Sequence, residues 1–74
     1  MTPPAKGRVV AHVRALREAA GLTQADLAAR VGATRQTIIA VEANKYAPSL
    51  ELAFRLARVL EQPFETVFGF DPEG

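Results

Sequence analysis

Gly32 is the most constraining residue in the chain, because it separates two short apolar-periodic segments that each begin with a capping threonine. Thr23 is a natural N-cap, and Leu27, Ala28 and Val31 then recur at helical spacing. Gly32 can take positive φ at no steric cost and so stops the first helix. Thr34 caps a second helix, to which Ile38 and Val41 give an inward face. A side chain larger than Ala28 in the crook would push the second helix away. The spacing therefore predicts two short helices crossing steeply through a tight turn, with the second free to stand off the body.

Length and composition limit what such a pair can belong to. The 74 residues give room for one domain. A chain this size buries only roughly 60% of its unfolded surface, so dimerisation would help it. There is no cysteine and a single histidine, His12. That excludes disulfides, thiolate metal sites and a His-based metal cluster, and leaves no nucleophile and base to pair for catalysis. The expectation is a metal-free, cofactor-free protein that is not an enzyme, with no small-molecule ligand evident. No apolar run approaches the ~20 residues that span a bilayer, and Met1 to Ala5 contain no hydrophobic signal core. A cytoplasmic location away from membranes follows as the expectation.

The net charge of +1 conceals an asymmetry. Residues 1–45 carry seven basic against three acidic side chains, a net of +4, whereas residues 46–74 carry two against five, a net of −3. A basic half suits a polyanion, and an acidic half limits non-specific adhesion.

Periodic apolar segments separated by Pro and Gly predict an all-α domain of five helices, with no alternating strand pattern before the last few residues. Helix 1 is expected from about Lys6 to Ala20, with Val9, Val13, Leu16 and Ala20 on one stripe and Gly21 at its end. Helix 2 is expected over about Gln24 to Val31, and helix 3 over about Arg35 to Ala43. Asn44 to Pro48 form a loop. Ser49 caps helix 4, whose inner face is Leu50, Ala53, Leu56, Ala57 and Leu60, with Glu51 complementing the helix dipole. Pro63 opens a short helix 5 to about Phe68. Residues 1–5 are expected to be a flexible lead, 6–70 the domain, and 71–74 a fraying charged tail.

The chain resembles the phage repressor and Cro-like helix-turn-helix family, the XRE family, and especially its short single-domain members. The matching residues run Val13-Arg14-Ala15-Leu16-Arg17, Gly21-Leu22-Thr23-Gln24, Leu27-Ala28, Val31-Gly32, Thr34 to Ile38, Val41-Glu42, Lys45-Tyr46, and Pro48-Ser49-Leu50 through Phe68. Asn44 departs from the pattern, since many relatives carry Gly there; Asn is the next most tolerant residue of the left-handed region. The resemblance implies a compact five-helix, lambda-repressor-like DNA-binding domain with the helix-turn-helix at helices 2 and 3. It also implies a bacterial protein associated with the nucleoid through DNA.

On such a domain the N-terminal turns of helix 3 meet the major groove. Arg35 can donate two bonds to guanine, Gln36 can pair with adenine, and Thr37 offers a hydroxyl or a methyl, while Ala40 leaves space at the groove floor. Ile39 is off the inward stripe and is expected half buried. The resemblance implies a phosphate contact at Gln24, where the helix N-terminus also presents free N–H groups. Thr23 can add its hydroxyl, although capping with Asp26 is its first task. Lys45 and Tyr46 occupy a loop where relatives meet the DNA backbone. The resemblance further implies an ion pair between Arg17 and Glu42 that orients helix 3.

Large apolar residues crowd the end of the chain. Val59, Phe68 and Phe70 are expected at a two-fold subunit contact, with a strand at Phe70 pairing across the axis as a variant of it. These features point to a sequence-specific regulator of transcription that binds double-stranded DNA as a homodimer on a palindromic operator and represses by covering a promoter. An antitoxin-type regulator, or a protein-interaction module on the same fold, is the alternative.

Overall fold

A computed structural model describes residues 6–74, so the expected flexible segment 1–5 lies outside the described residues. In chain order the elements are β1 (Arg8–Ala11), α1 (Val13–Ala19), α2 (Gln24–Val31), α3 (Arg35–Glu42), α4 (Leu50–Leu60), α5 (Phe64–Val67) and β2 (Phe68–Asp71). Five helices with the helix-turn-helix at α2 and α3 are the expected fold class, and a two-stranded antiparallel sheet of β1 and β2 is added to it.

Local chemistry fixes the ends of the helices. Thr23, Thr34 and Ser49 are extended, and their side chains accept from the backbone N–H groups of Asp26, Thr37 and Leu52. Each such cap stabilises by about 1 kcal/mol. At their other ends α1 to α4 stop on residues with positive φ: Gly21, Gly32, Asn44 and Glu61. After each, the next amide reaches back five residues: Leu22 to Arg17, Ala33 to Ala28, Lys45 to Ala40, and Gln62 to Ala57. This closes the orphan carbonyls of the last turn.

The core lies where α1, α2, α3 and α4 converge. Val13, Leu27, Ile38, Val41, Leu56 and Val67 are completely or almost completely buried. Ala28 is buried at the crook between α2 and α3, as its small size requires.

Helix 1 is shorter than its local pattern suggests. Residues 8–11 form β1 rather than the helix's first turns, and α1 begins only at Val13. Val9 and Ala20, expected on the inner stripe, are exposed, leaving Val13 buried and Leu16 half-buried. The physical reason is a distant partner. The β-branched pair Val9-Val10 finds Phe70 and Gly69 opposite it in the sheet, and the His12 N–H bonds to the Val67 carbonyl at 2.8 Å. Strand pairing outweighs a weak local helical preference.

The C-terminal end differs for the same reason. Helix 5 ends at Val67 because Phe68 starts β2. Asp71, expected in the fraying tail, is the last residue of β2, pairs with Arg8, and accepts from the Glu73 N–H at 3.0 Å. Phe68 is buried within its own chain, its ring 5.3 Å from that of Phe64, rather than exposed for the subunit contact expected of it. Leu50, expected on the inner face of α4, is 67% exposed. It is the first residue of α4 and overhangs the end of the core, which is closed by Ala53, Leu56, Ala57 and Leu60.

Candidate nucleic-acid interface

The interface is built around one ion pair. Arg17, in the last turn of α1, is 8% exposed and donates three ways: Nε to Glu42 Oε2 at 2.6 Å, Nη2 to Glu42 Oε1 at 3.1 Å, and Nη1 to the Leu22 carbonyl at 2.9 Å. Arginine's planar fork suits this arrangement, with two bonds to a carboxylate and a third to the loop before α2. Burial disfavours the Glu42 charge, but bonds from Arg17 and Gln24 outweigh it, and the carboxyl is held below its ordinary range. On the other side the bond to Glu42 raises the Arg17 pKa against its desolvation. α1, the α1–α2 loop and α3 are thereby tied together by charged hydrogen bonds.

Gln24, the first residue of α2, joins this pair. Its amide Nε2 donates to Glu42 Oε1 at 3.1 Å. An amide nitrogen carries two hydrogens, so one remains for an incoming acceptor while the other fixes the side chain. Thr23 beside it forms a full capping box: its hydroxyl accepts from the Asp26 N–H, and its own N–H donates to Asp26 Oδ2, both at 3.0 Å. Hydrogen bonds to its carboxylate from the Thr23 backbone foremost, and then from the Thr23 side chain, hold Asp26 below its ordinary range.

Arg35 and Gln36 are exposed on the first turn of α3, whereas Thr37 and Ala40 are half-buried. The Thr37 hydroxyl is 3.0 Å from that of Thr34, which also caps the helix, so Thr37 is left mainly its methyl to present. Ile39 is half-buried, as expected. After α3, Lys45 and Tyr46 are both exposed in the loop before α4.

Arg14 was not singled out by sequence. It lines one open cleft with Glu18, Thr23, Gln24 and Arg35, and so adds a third arginine, besides Arg17 and Arg35, near the start of α2. Its nearest acid is Glu18, 3.7 Å away and itself exposed. The available signal was helical spacing: Arg14 lies three residues before Arg17, which turns it toward the side of α1 that faces the start of α2. The Gln24–Glu42 bond was also missed, since spacing along the chain gives no hint of a contact between residues 18 positions apart. The structure thus brings Thr23, Gln24 and Arg35 to one cleft, with Arg17 in its wall.

With this geometry in view, the helix-turn-helix family profile matches residues 13–67, from the start of α1 to the end of α5. The chain belongs to this family. It is of the XRE type that the sequence resembles, and it is not an enzyme. An uncharacterised HTH-type transcriptional regulator of Methanothermobacter thermautotrophicus is 52% identical over 63 residues, covering 84% of this chain and 91% of the relative. Another from Archaeoglobus fulgidus is 46% identical over 62 residues, covering 84% and 89%. Both sources are archaeal, so the resemblance does not restrict this helix-turn-helix chain to bacteria. The crystal structure of the transcriptional regulator VanUg superposes with a TM-score of 0.76 at 19% identity, over 99% of this chain and 97% of that one. That likeness is one of fold.

Proposed function

We propose that this helix-turn-helix protein is a sequence-specific regulator of transcription, a repressor that binds a palindromic operator in double-stranded DNA as a homodimer. One observation carries the reading. Arg35 and Gln36 on the N-terminal turn of α3 are exposed, while the same helix is locked in orientation by the Arg17–Glu42–Gln24 bonds. A rigid support beneath free polar side chains is what base readout needs.

In this reading Arg35 and Gln36 read base edges, Thr37 packs its methyl on a base, and Ala40 gives clearance over the groove floor. Gln24 and Thr23 grip one phosphate at the N-terminus of α2, with Arg14 beside them, and Lys45 and Tyr46 grip another beyond α3. The regulators named among its relatives support a role in transcription. No helix among the described residues is long and apolar enough to cross a membrane, which agrees with a protein working on DNA in the cytoplasm.

The homodimer is supported by an apolar face clear of the recognition helix. Val9, Leu50 and Phe70 line one groove, Phe54 packs tilted against Phe64 at its edge, and Glu65 is its only charged lining residue among the described residues. A second copy meeting this face about a two-fold axis would bury it. Two recognition helices would then engage half-sites about 34 Å apart. Val59, half-buried on α4, lines a separate cleft with Arg30, Val31 and Arg58 and is not part of this face.

Selection of bound sites from a random duplex pool tests the function. An enriched inverted repeat is the expected result, a single enriched half-site would remove the dimer, and no enrichment would overturn sequence-specific binding.

A further inference from the structure

We infer that Asn44 is a positioning residue for the DNA-backbone contacts, acting through a latch between the α3–α4 loop and β1; this rests on the DNA-binding reading above. Asn44 follows the end of α3 with φ 57, and its N–H bonds to the Val41 carbonyl while that of Lys45 bonds to the Ala40 carbonyl, both at 3.0 Å. Glycine would meet these backbone demands with less strain. What glycine could not supply is the side chain. Asn44 Oδ1 accepts from the Ala11 N–H at 2.8 Å, across 33 residues of sequence.

The donor is well placed for this purpose. Ala11 is the last residue of β1, and the next amide, His12, bonds to the Val67 carbonyl at 2.8 Å. β1 is paired along its whole length with β2, which continues directly from α5. The sheet is therefore fixed to the body, and Asn44 fixes the loop to the sheet. Lys45 and Tyr46 are the next two residues along that loop, exposed and held by no side-chain bond of their own among the described residues. With the latch closed their backbone is ordered before DNA arrives; with it open the ordering must be paid at binding.

Asn44→Gly separates the latch from the turn, because it keeps the left-handed backbone and deletes only the acceptor. Amide exchange of Ala11 should quicken by roughly fivefold or more while that of His12 is unchanged, and the protein should stay folded, its stability lowered by no more than about one hydrogen bond's worth. Affinity for specific and scrambled duplexes should fall by the same factor, roughly three- to tenfold, because the loop is then ordered only on binding. Lys45→Ala should then cost less in the Asn44→Gly background than in the native protein. Unchanged exchange at Ala11 overturns the latch. Faster exchange with undiminished affinity, or with additive effects of Asn44→Gly and Lys45→Ala, overturns the positioning role. Native protein that binds no duplex overturns the DNA reading and this role with it, whereas Ala11 exchange still reports on the bond.

Discussion

Two exposed cations in the proposed interface differ in what their loss would do. Arg35 points from the first turn of α3, where a guanidinium can form two bonds to one guanine, whereas Lys45 lies in a loop beyond that helix and offers a point charge. Arg35→Ala should relax preference at one base pair and cost about 1 to 3 kcal/mol on the best site. Lys45→Ala should weaken all sequences alike and reduce the salt dependence by about one phosphate. Fluorescence anisotropy on specific and scrambled duplexes at several salt concentrations distinguishes them; equal losses on both duplexes for Arg35→Ala would remove it from base readout. A third residue carries a conformational cost rather than a contact. Glu61 ends α4 at φ 55 and ψ 43, a left-handed conformation that costs a non-glycine residue about 1 to 2 kcal/mol. Glu61→Gly relieves it but loosens the unfolded chain, for a net gain of about 0.5 kcal/mol, read as a higher urea midpoint.

At the scale of elements, stability and orientation meet in the pair joining α1 to α3. The side chains of Arg17 and Glu42 are 10% and 5% exposed, so removing either leaves the other desolvated without its partner, at a cost of about 3 kcal/mol or more. Arg17→Met and Glu42→Leu together should therefore cost less than the sum of the two, and strict additivity in a urea double-mutant cycle would reject the coupling. The pair also sets a direction for pH. Glu42 titrates lower in the folded chain than in the unfolded one, so its contribution is full above the unfolded value of about 4.3 and is lost as pH falls through the lower folded value. The unfolded state binds the extra proton in that window, and Asp26 acts in the same sense. Urea midpoints should drop on acidification below about pH 4.3, and less steeply in Glu42→Gln.

The elements also show which parts of the fold were legible in sequence. α2, α3 and α4 have caps, turn residues and apolar spacing that all act within a few positions of one another, and each begins where its cap predicts. The Glu61 ending carries no such mark, because glutamate has no preference for the left-handed region. A strand at Phe70 was legible but its partner was not: it pairs within the chain, since Val9 and Val10 become a strand only with Phe70 and Gly69 alongside. Within the interface, residue type and helix position named Arg35, and the family resemblance gave Gln24, Lys45 and the Arg17–Glu42 pair. The bonds from Gln24 to Glu42 and from Asn44 to Ala11 depend on how distant helices and strands pack, which spacing does not encode.

For the whole molecule the sheet that shortened helix 1 also creates the face on which the proposed homodimer depends. Side chains alternate along a strand, so Phe68 and Phe70 share a sheet face, and Val9, paired with Phe70, lies on it too. Phe68 reaches the core at 6% exposed, but Phe70, two residues on, overhangs it at 63%. Its ring lies against Gly7, at φ 126, where a Cβ would overlap it, so the ring is held in place over the backbone. With Leu50 and Phe54 at 67% and 52% exposed, this is a costly surface to leave in water for a chain with so small a core. Phe70→Asp should leave helicity intact, because the ring is outside the core, and should shift the protein to monomer. Operator affinity should fall, since each half-site would be bound without the effective concentration that a joined partner supplies. Light scattering, circular dichroism and anisotropy on one sample separate the outcomes. A folded dimer carrying Phe70→Asp would move the interface away from this face, and an unfolded one would mean that the sheet, rather than a second subunit, needs the ring.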